Sequence, residues 1–230
     1  MSGGEGAGRP IVVAIDGPSG VGKSTVARQV ARALGLSYLD TGAMYRALGL
    51  KALRTGARPE VAADVAALVE TSRLELIPAG DGSVLVTLDG EPVEPYIRSQ
   101  QVAEMASRLA AQPLVRQRLV ELQRGFGGRY GAVLEGRDIG TVVFPATPYK
   151  FFLDARADVR VSRRAGQLHG DDRRTAQVAA EIEQRDRRDR EREASPLLCD
   201  DSYELVDTSD LTPEEVVGRL VSSVRSRRAC

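Results

Sequence analysis

Gly17, Pro18, Ser19, Gly20, Val21, Gly22, Lys23 and Ser24 stand just behind an apolar run at residues 11–15 and form a glycine-rich loop that ends in lysine and a hydroxyl. That order of residue types suits the phosphates of a nucleoside triphosphate. The glycines let several backbone N–H groups converge on phosphate oxygens, and a helix opening at Lys23 turns its positive end toward the same anion. Lys23 can reach the β and γ phosphates, and Ser24 offers a hydroxyl to Mg2+. Thr25 continues into a helix with Val26, Val30, Ala33 and Leu34 at helical spacing and Gly35 as its stop. A loop of this kind names a ligand and leaves the reaction open.

Three further clusters could hold a second phosphorylated substrate. Asp40, Thr41, Tyr45 and Arg46 fall where a short strand ends and a helix opens, at the sheet edge where ligands of open α/β folds gather. Asp40 or Thr41 could equally serve as a plain helix cap. Arg137 and Asp138 lie between two glycines at the end of another strand. There the arginine can clamp a phosphate, and the carboxylate can accept from the exocyclic amine of cytosine, where uracil presents a carbonyl. The same pair also reads as a structural ion pair. The third cluster is the arginine-dense stretch from Arg156 to Arg192, in which Arg185, Arg188, Asp189 and Arg192 share one helical face. It reads as a solvated charged face or as a lid, and a flexible break at residues 166–172 favours the lid.

These groups need a scaffold. The 230-residue chain carries 32 acidic and 32 basic residues, with arginine supplying 29 of the cations. Zero net charge argues against a general nucleic-acid binder. No apolar stretch approaches a membrane span, and residues 1–9 lack the apolar core of a signal peptide, so a flexible tail and a cytoplasmic address are expected. Cys199 and Cys230 suggest neither a metal site nor a disulfide framework, and His169 falls in the lid break.

Strands are expected near 11–16, 37–40, 132–135, 149–153 and 203–206, alternating with helices at 23–34 and 43–54 around a parallel sheet. Residues 73–77 and 83–88, joined by Ala-Gly-Asp-Gly, predict an inserted antiparallel hairpin, followed by helices at about 98–110 and 113–124. No Asn/Thr-Lys-x-Asp segment reads guanine, and the candidate acidic strand ends form no clear hydrophobic-run-plus-Asp partner to the loop. A GTP-driven switch is therefore not expected.

Four segments in order, 15–24, 39–46, 136–145 and 185–190, make the chain resemble the bacterial cytidylate kinases, the CMP kinase branch of the nucleoside monophosphate kinases. The likeness runs from Ile11 to the final helix. It implies a three-layer P-loop fold with a five-stranded parallel sheet, a core of residues 10–60, 111–155 and 195–230, an NMP-binding insert near 61–110 and a helical lid near 156–194. It implies a monomer that phosphorylates CMP and dCMP from ATP with Mg2+. By resemblance, Gly17 through Thr25 bind ATP, with Lys23 among the catalytic cations and Ser24 on the metal. Thr41, Arg46, Arg137 and Arg192 hold the CMP phosphate; Ser107, Arg116 and Asp138 read cytosine; Asp189, supported by Arg185, holds the ribose; Asp40 and Tyr45 complete the wall. Arg163 reaches ATP from the lid and joins Lys23, Arg137 and Arg192 around the transferring group. A kinase for another small molecule and a non-catalytic ATP-binding module are the alternatives.

Overall fold

The computed structural model describes residues 10–167 and 172–228. The expected tail, His169 and Cys230 lie outside the described residues. In chain order the elements are β1 (Val12–Asp16), α1 (Lys23–Leu34), β2 (Ser37–Asp40), α2 (Thr41–Thr55), α3 (Ala62–Thr71), β3 (Leu74–Pro78), β4 (Val84–Leu88) and β5 (Glu91–Pro92). They continue with α4 (Gln100–Leu109), α5 (Pro113–Tyr130), β6 (Ala132–Gly136), a π-helical turn (Ile139–Val143), β7 (Tyr149–Asp154), α6 (Ala157–Gln167), α7 (Asp172–Glu191), β8 (Glu204–Asp207) and α8 (Pro213–Arg228).

Five strands form a parallel sheet in the order β2-β6-β1-β7-β8, and β3, β4 and β5 form a separate antiparallel sheet. Because successive strand residues face opposite sides, Val12 and Ala14 of β1 pack with the insert elements and Leu119 of α5. Val13 and Ile15 pack with Val26 and Val30 of α1 and Leu220 of α8. The result is helix, sheet, helix. The hairpin leans on the edge of the main sheet, where the Tyr38 N–H donates to the Gly82 carbonyl at 2.8 Å.

Two glycines are dictated by close approach. Gly17 has φ +148° and an added Cβ would lie 2.1 Å from the Leu153 carbonyl oxygen, so only glycine lets the phosphate loop cross the end of β7. A Cβ on Gly49 would come within 3.0 Å of the Ala106 nitrogen and the Val102 oxygen. That contact sets α4, which carries Ser107, backbone to backbone against α2.

The fold departs from the sequence expectation in four places. Helix α3 was not anticipated. Helix α5 runs past residue 124 to Tyr130, because buried Phe126 anchors its last turns. Gly166 lies inside α6, which runs to Gln167, while residues 168–171 of the expected break lie outside the described residues. The loop after Asp138 is a π-helical turn, held by a buried carboxylate described below.

Candidate active site

Strand β1 ends in Asp16 and the chain turns through Gly17 to Gly22 before α1 starts at Lys23. Val21 is buried beneath this loop, while Ser24 and Thr25 are exposed on the first turn of α1. The Lys23 ammonium is buried and donates to the Pro18 carbonyl at 2.6 Å. Burial first, and Arg137 second, hold its pKa well below the usual lysine value.

This arrangement has a measurable consequence. A triphosphate on this loop would favour the charged ammonium, so at alkaline pH its binding is expected to take up a proton and to weaken as pH rises. Calorimetry at about pH 8.5 in buffers of different ionisation enthalpy should show this uptake. Lys23→Met should abolish it, and a wild-type heat independent of buffer would contradict the reading.

At the neighbouring strand no aspartate partners the loop, but a glutamate does: Glu135, at the end of β6 beside β1. It is buried and accepts from the Tyr38 hydroxyl at 2.5 Å. Burial, then Asp40, raises its pKa, opposed by Lys23 and by hydrogen bonds from Tyr38 and Ser24. The apolar run Val133-Leu134 before Glu135 was the sequence signal.

Asp16 is fully buried and accepts from the Ile139 and Gly140 N–H groups at 3.0 and 2.9 Å and from the Tyr203 hydroxyl at 2.7 Å. Burial pushes its pKa up to about 6 against those three donors. Asp16 thereby ties the phosphate-loop strand to the π-helical turn that carries Arg137 and Asp138 at its start.

At the end of β2, Asp40 caps α2 by accepting from the Ala43 N–H at 3.1 Å, and it pairs with Arg46 at 2.6 Å. The helix-cap reading of this segment therefore holds. The buried Thr41 hydroxyl donates to the Glu135 carbonyl at 2.6 Å. In this conformation its proton is used on the protein.

Arg137 spans two elements: Nε donates to Asp189 at 2.8 Å, Nη2 to the Ser19 hydroxyl at 3.1 Å and Nη1 to the Gly136 carbonyl at 3.0 Å. It therefore links the phosphate loop to helix α7. Asp138, buried, pairs with Arg116, and Arg192 Nη2 lies 3.6 Å from its other oxygen. The Arg116 guanidinium sits 5.7 Å over the Tyr45 ring. Burial raises the Tyr45 pKa to about 12. Among the described residues, Arg116 Nε and Arg192 Nη2 are buried donors without a hydrogen bond. Ser107 is buried on α4.

Asp189 is buried among cations. Burial raises its pKa, but Arg137, Arg192 and Arg185 outweigh that and bring it below the ordinary value. Arg185 is itself lowered to about 10, by burial and then by Arg137. The structure thus gathers Lys23, Arg137, Arg185, Asp189, Arg192, Asp138, Arg116 and Tyr45 into one electrostatic neighbourhood.

The charge run did not single out Asp186 and Arg160. Buried Asp186 accepts from the Ser19 N–H at 2.9 Å and pairs with Arg160, which also donates to the Ser19 carbonyl at 3.2 Å. Arg163 stands apart from that cluster: its hydrogen bonds go to Thr208 at 2.9 and 2.7 Å and to Val21 at 3.4 Å. There it lines a hollow of about 260 Å³ with Gly20, Thr25, Leu211, Pro213 and Val216. Among the described residues no group of three acidic, histidine or cysteine side chains could cage a metal, and no helix is long and apolar enough to cross a membrane.

The cytidylate kinase family model matches residues 13–226. A cytidylate kinase of Methylococcus capsulatus is 45% identical over 217 residues, covering 94% of this chain and 97% of that protein. A second, of Actinobacillus succinogenes, is 42% identical over 228 residues, with 95% and 100% covered. Among solved structures, an uncharacterized protein from Eubacterium ventriosum shares the fold at a TM-score of 0.54 and 12% identity, over 95% of this chain and 99% of that one.

Proposed function

Because the chain belongs to the cytidylate kinase family, we propose that it transfers the terminal phosphoryl group of ATP to CMP and dCMP. The observation that carries this reading is the end of β6. Successive residues there put Arg137 against the phosphate loop and Asp138 into a buried pocket with Arg116 and Arg192. One strand end thus serves both substrates.

The loop from Gly17 to Thr25 holds the triphosphate, and the apolar hollow beside Arg163 suits the donor base. Asp138 accepts from the cytosine amine, while Ser107 and the open donor on Arg116 meet the acceptor atoms of that base edge. Asp189 holds the ribose with Arg185. Arg46 and Arg137 hold the acceptor phosphate, with Thr41 after its proton leaves the Glu135 carbonyl. Arg192 joins them from just after α7, and its open Nη2 lies on the Asp138 side. Arg163 closes the donor side.

The residues fit Mg2+, which keeps several waters and relies on substrate phosphates more than on a protein cage. Ser24 would hold it, with Glu135 beside that hydroxyl; when bound, the ion neutralises phosphate charge and helps align it. Phosphoryl transfer needs alignment and positive charge more than a strong base. Lys23, Arg137 and Arg192 supply charge, and α7 over the site keeps water away.

Phosphorus NMR of Mg-ATP with CMP tests the proposal. ADP and CDP should appear in equal amounts. ADP without CDP would make the protein an ATPase and overturn it.

A further inference from the structure

Helix α7 carries an arginine that bears on none of the roles above. Arg188 reaches across to α4, where Nη2 pairs with Glu104 at 2.8 Å and Nη1 donates to the Ser107 hydroxyl at 3.3 Å. Glu104 and Ser107 lie one helical turn apart and so face the same way. A second contact continues the seam: Gln100 Nε2 donates to Glu181 at 2.5 Å. Gln100 is one turn before Glu104, and Glu181 is two turns before Arg188.

We propose that Arg188 is a positioning residue that fixes the Ser107 hydroxyl as a hydrogen-bond donor toward the acceptor base, and so couples lid placement to base choice. This inference rests on the reading of Ser107 as a base contact. A serine hydroxyl has one proton to give and lone pairs to accept, whereas a guanidinium only donates. The Arg188 bond therefore occupies a lone pair and leaves the proton for the ligand. Among the described residues Ser107 makes no other side-chain hydrogen bond. Glu104, on the other guanidinium nitrogen, keeps the fork in place.

The consequence is selectivity. Cytosine N3 accepts a hydrogen bond, and uracil N3 carries a proton and donates. A Ser107 hydroxyl held as a donor matches the first and opposes the second. Freed from Arg188, the hydroxyl can turn and accept from uracil. Ser107 sits on the insert and Arg188 on α7, so this donor state exists only while α7 lies on α4.

The test compares kcat/KM for CMP and UMP in Arg188→Met, Arg188→Lys, Ser107→Ala and the Ser107→Ala/Arg188→Met double variant. Arg188→Met should lower the CMP:UMP ratio roughly fivefold to tenfold, the effect of one hydrogen bond. Ser107→Ala should lower it as much, and the double variant no further. Arg188→Lys, which keeps a donor, should retain most of the ratio. If Arg188→Met slows both nucleotides equally, the residue is a structural tie and the inference is wrong. If the ratio falls in Ser107→Ala and stays intact in Arg188→Met, the Arg188 inference alone is overturned. An unchanged ratio in Ser107→Ala would overturn the base-contact reading beneath it.

Discussion

Arg137→Ala is expected to lower kcat by about a hundredfold to a thousandfold, the loss typical when one donor to developing charge is removed. The guanidinium touches Ser19 of the phosphate loop and Asp189 of α7, which in the proposed function is where donor and acceptor meet. Asp189 keeps Arg192 and Arg185 nearby, and the fold should tolerate the change. Arg137→Lys should restore only part of the rate, because an ammonium supplies charge without the fork that spans Ser19 and Asp189. Steady-state kinetics with CMP and Mg-ATP, beside urea unfolding of each variant, separate catalysis from stability. A kcat within twofold of wild type in Arg137→Ala would remove this residue from the site.

Asp138→Asn is expected to reduce the CMP:UMP preference by roughly 10- to 100-fold, the discrimination carried by a well-made contact to a base edge. The amide can still accept from Arg116, which limits structural damage, but its NH2 group can now donate to a uracil carbonyl. Asp138→Ala removes that acceptor altogether and leaves Arg116, only 4% exposed, facing no carboxylate at that point. Breaking a buried pair on one side costs about 3 kcal/mol. Unfolding of the alanine variant should therefore show a loss of that order, with the asparagine variant much less affected. An unchanged nucleotide preference in Asp138→Asn would refute the base-reading role.

The scaffold was largely legible because its signals are local. The apolar run before Gly17, the helical spacing from Val26 to Leu34 and the Ala-Gly-Asp-Gly turn of the hairpin each act within a few residues. Partners that are distant in sequence were not legible. Asp16 looks like the polar end of a strand until the fold brings Ile139, Gly140 and Tyr203 to it. Glu135 gains its meaning from Tyr38 and from the start of α1, which lie on other elements.

The charge run on α7 shows the same limit. Periodicity placed Arg185, Arg188, Asp189 and Arg192 on one face, and Arg187 and Arg190 are indeed exposed. Nothing in the run distinguished Asp186, which grips Ser19, from its neighbours. Asp40 was legible as a cap because that signal is local, whereas its pairing with Arg46 adds a tie further along α2.

The most direct measurement is kcat/KM for CMP, dCMP, UMP, AMP and GMP with Mg-ATP, each beside an acceptor-free control. Efficient turnover of CMP and dCMP, weak turnover of UMP and none above control with the purines is the expected result. Preference for another nucleotide, or ADP release that ignores the acceptor, would contradict a site built around Arg137 and Asp138 for cytidine monophosphates.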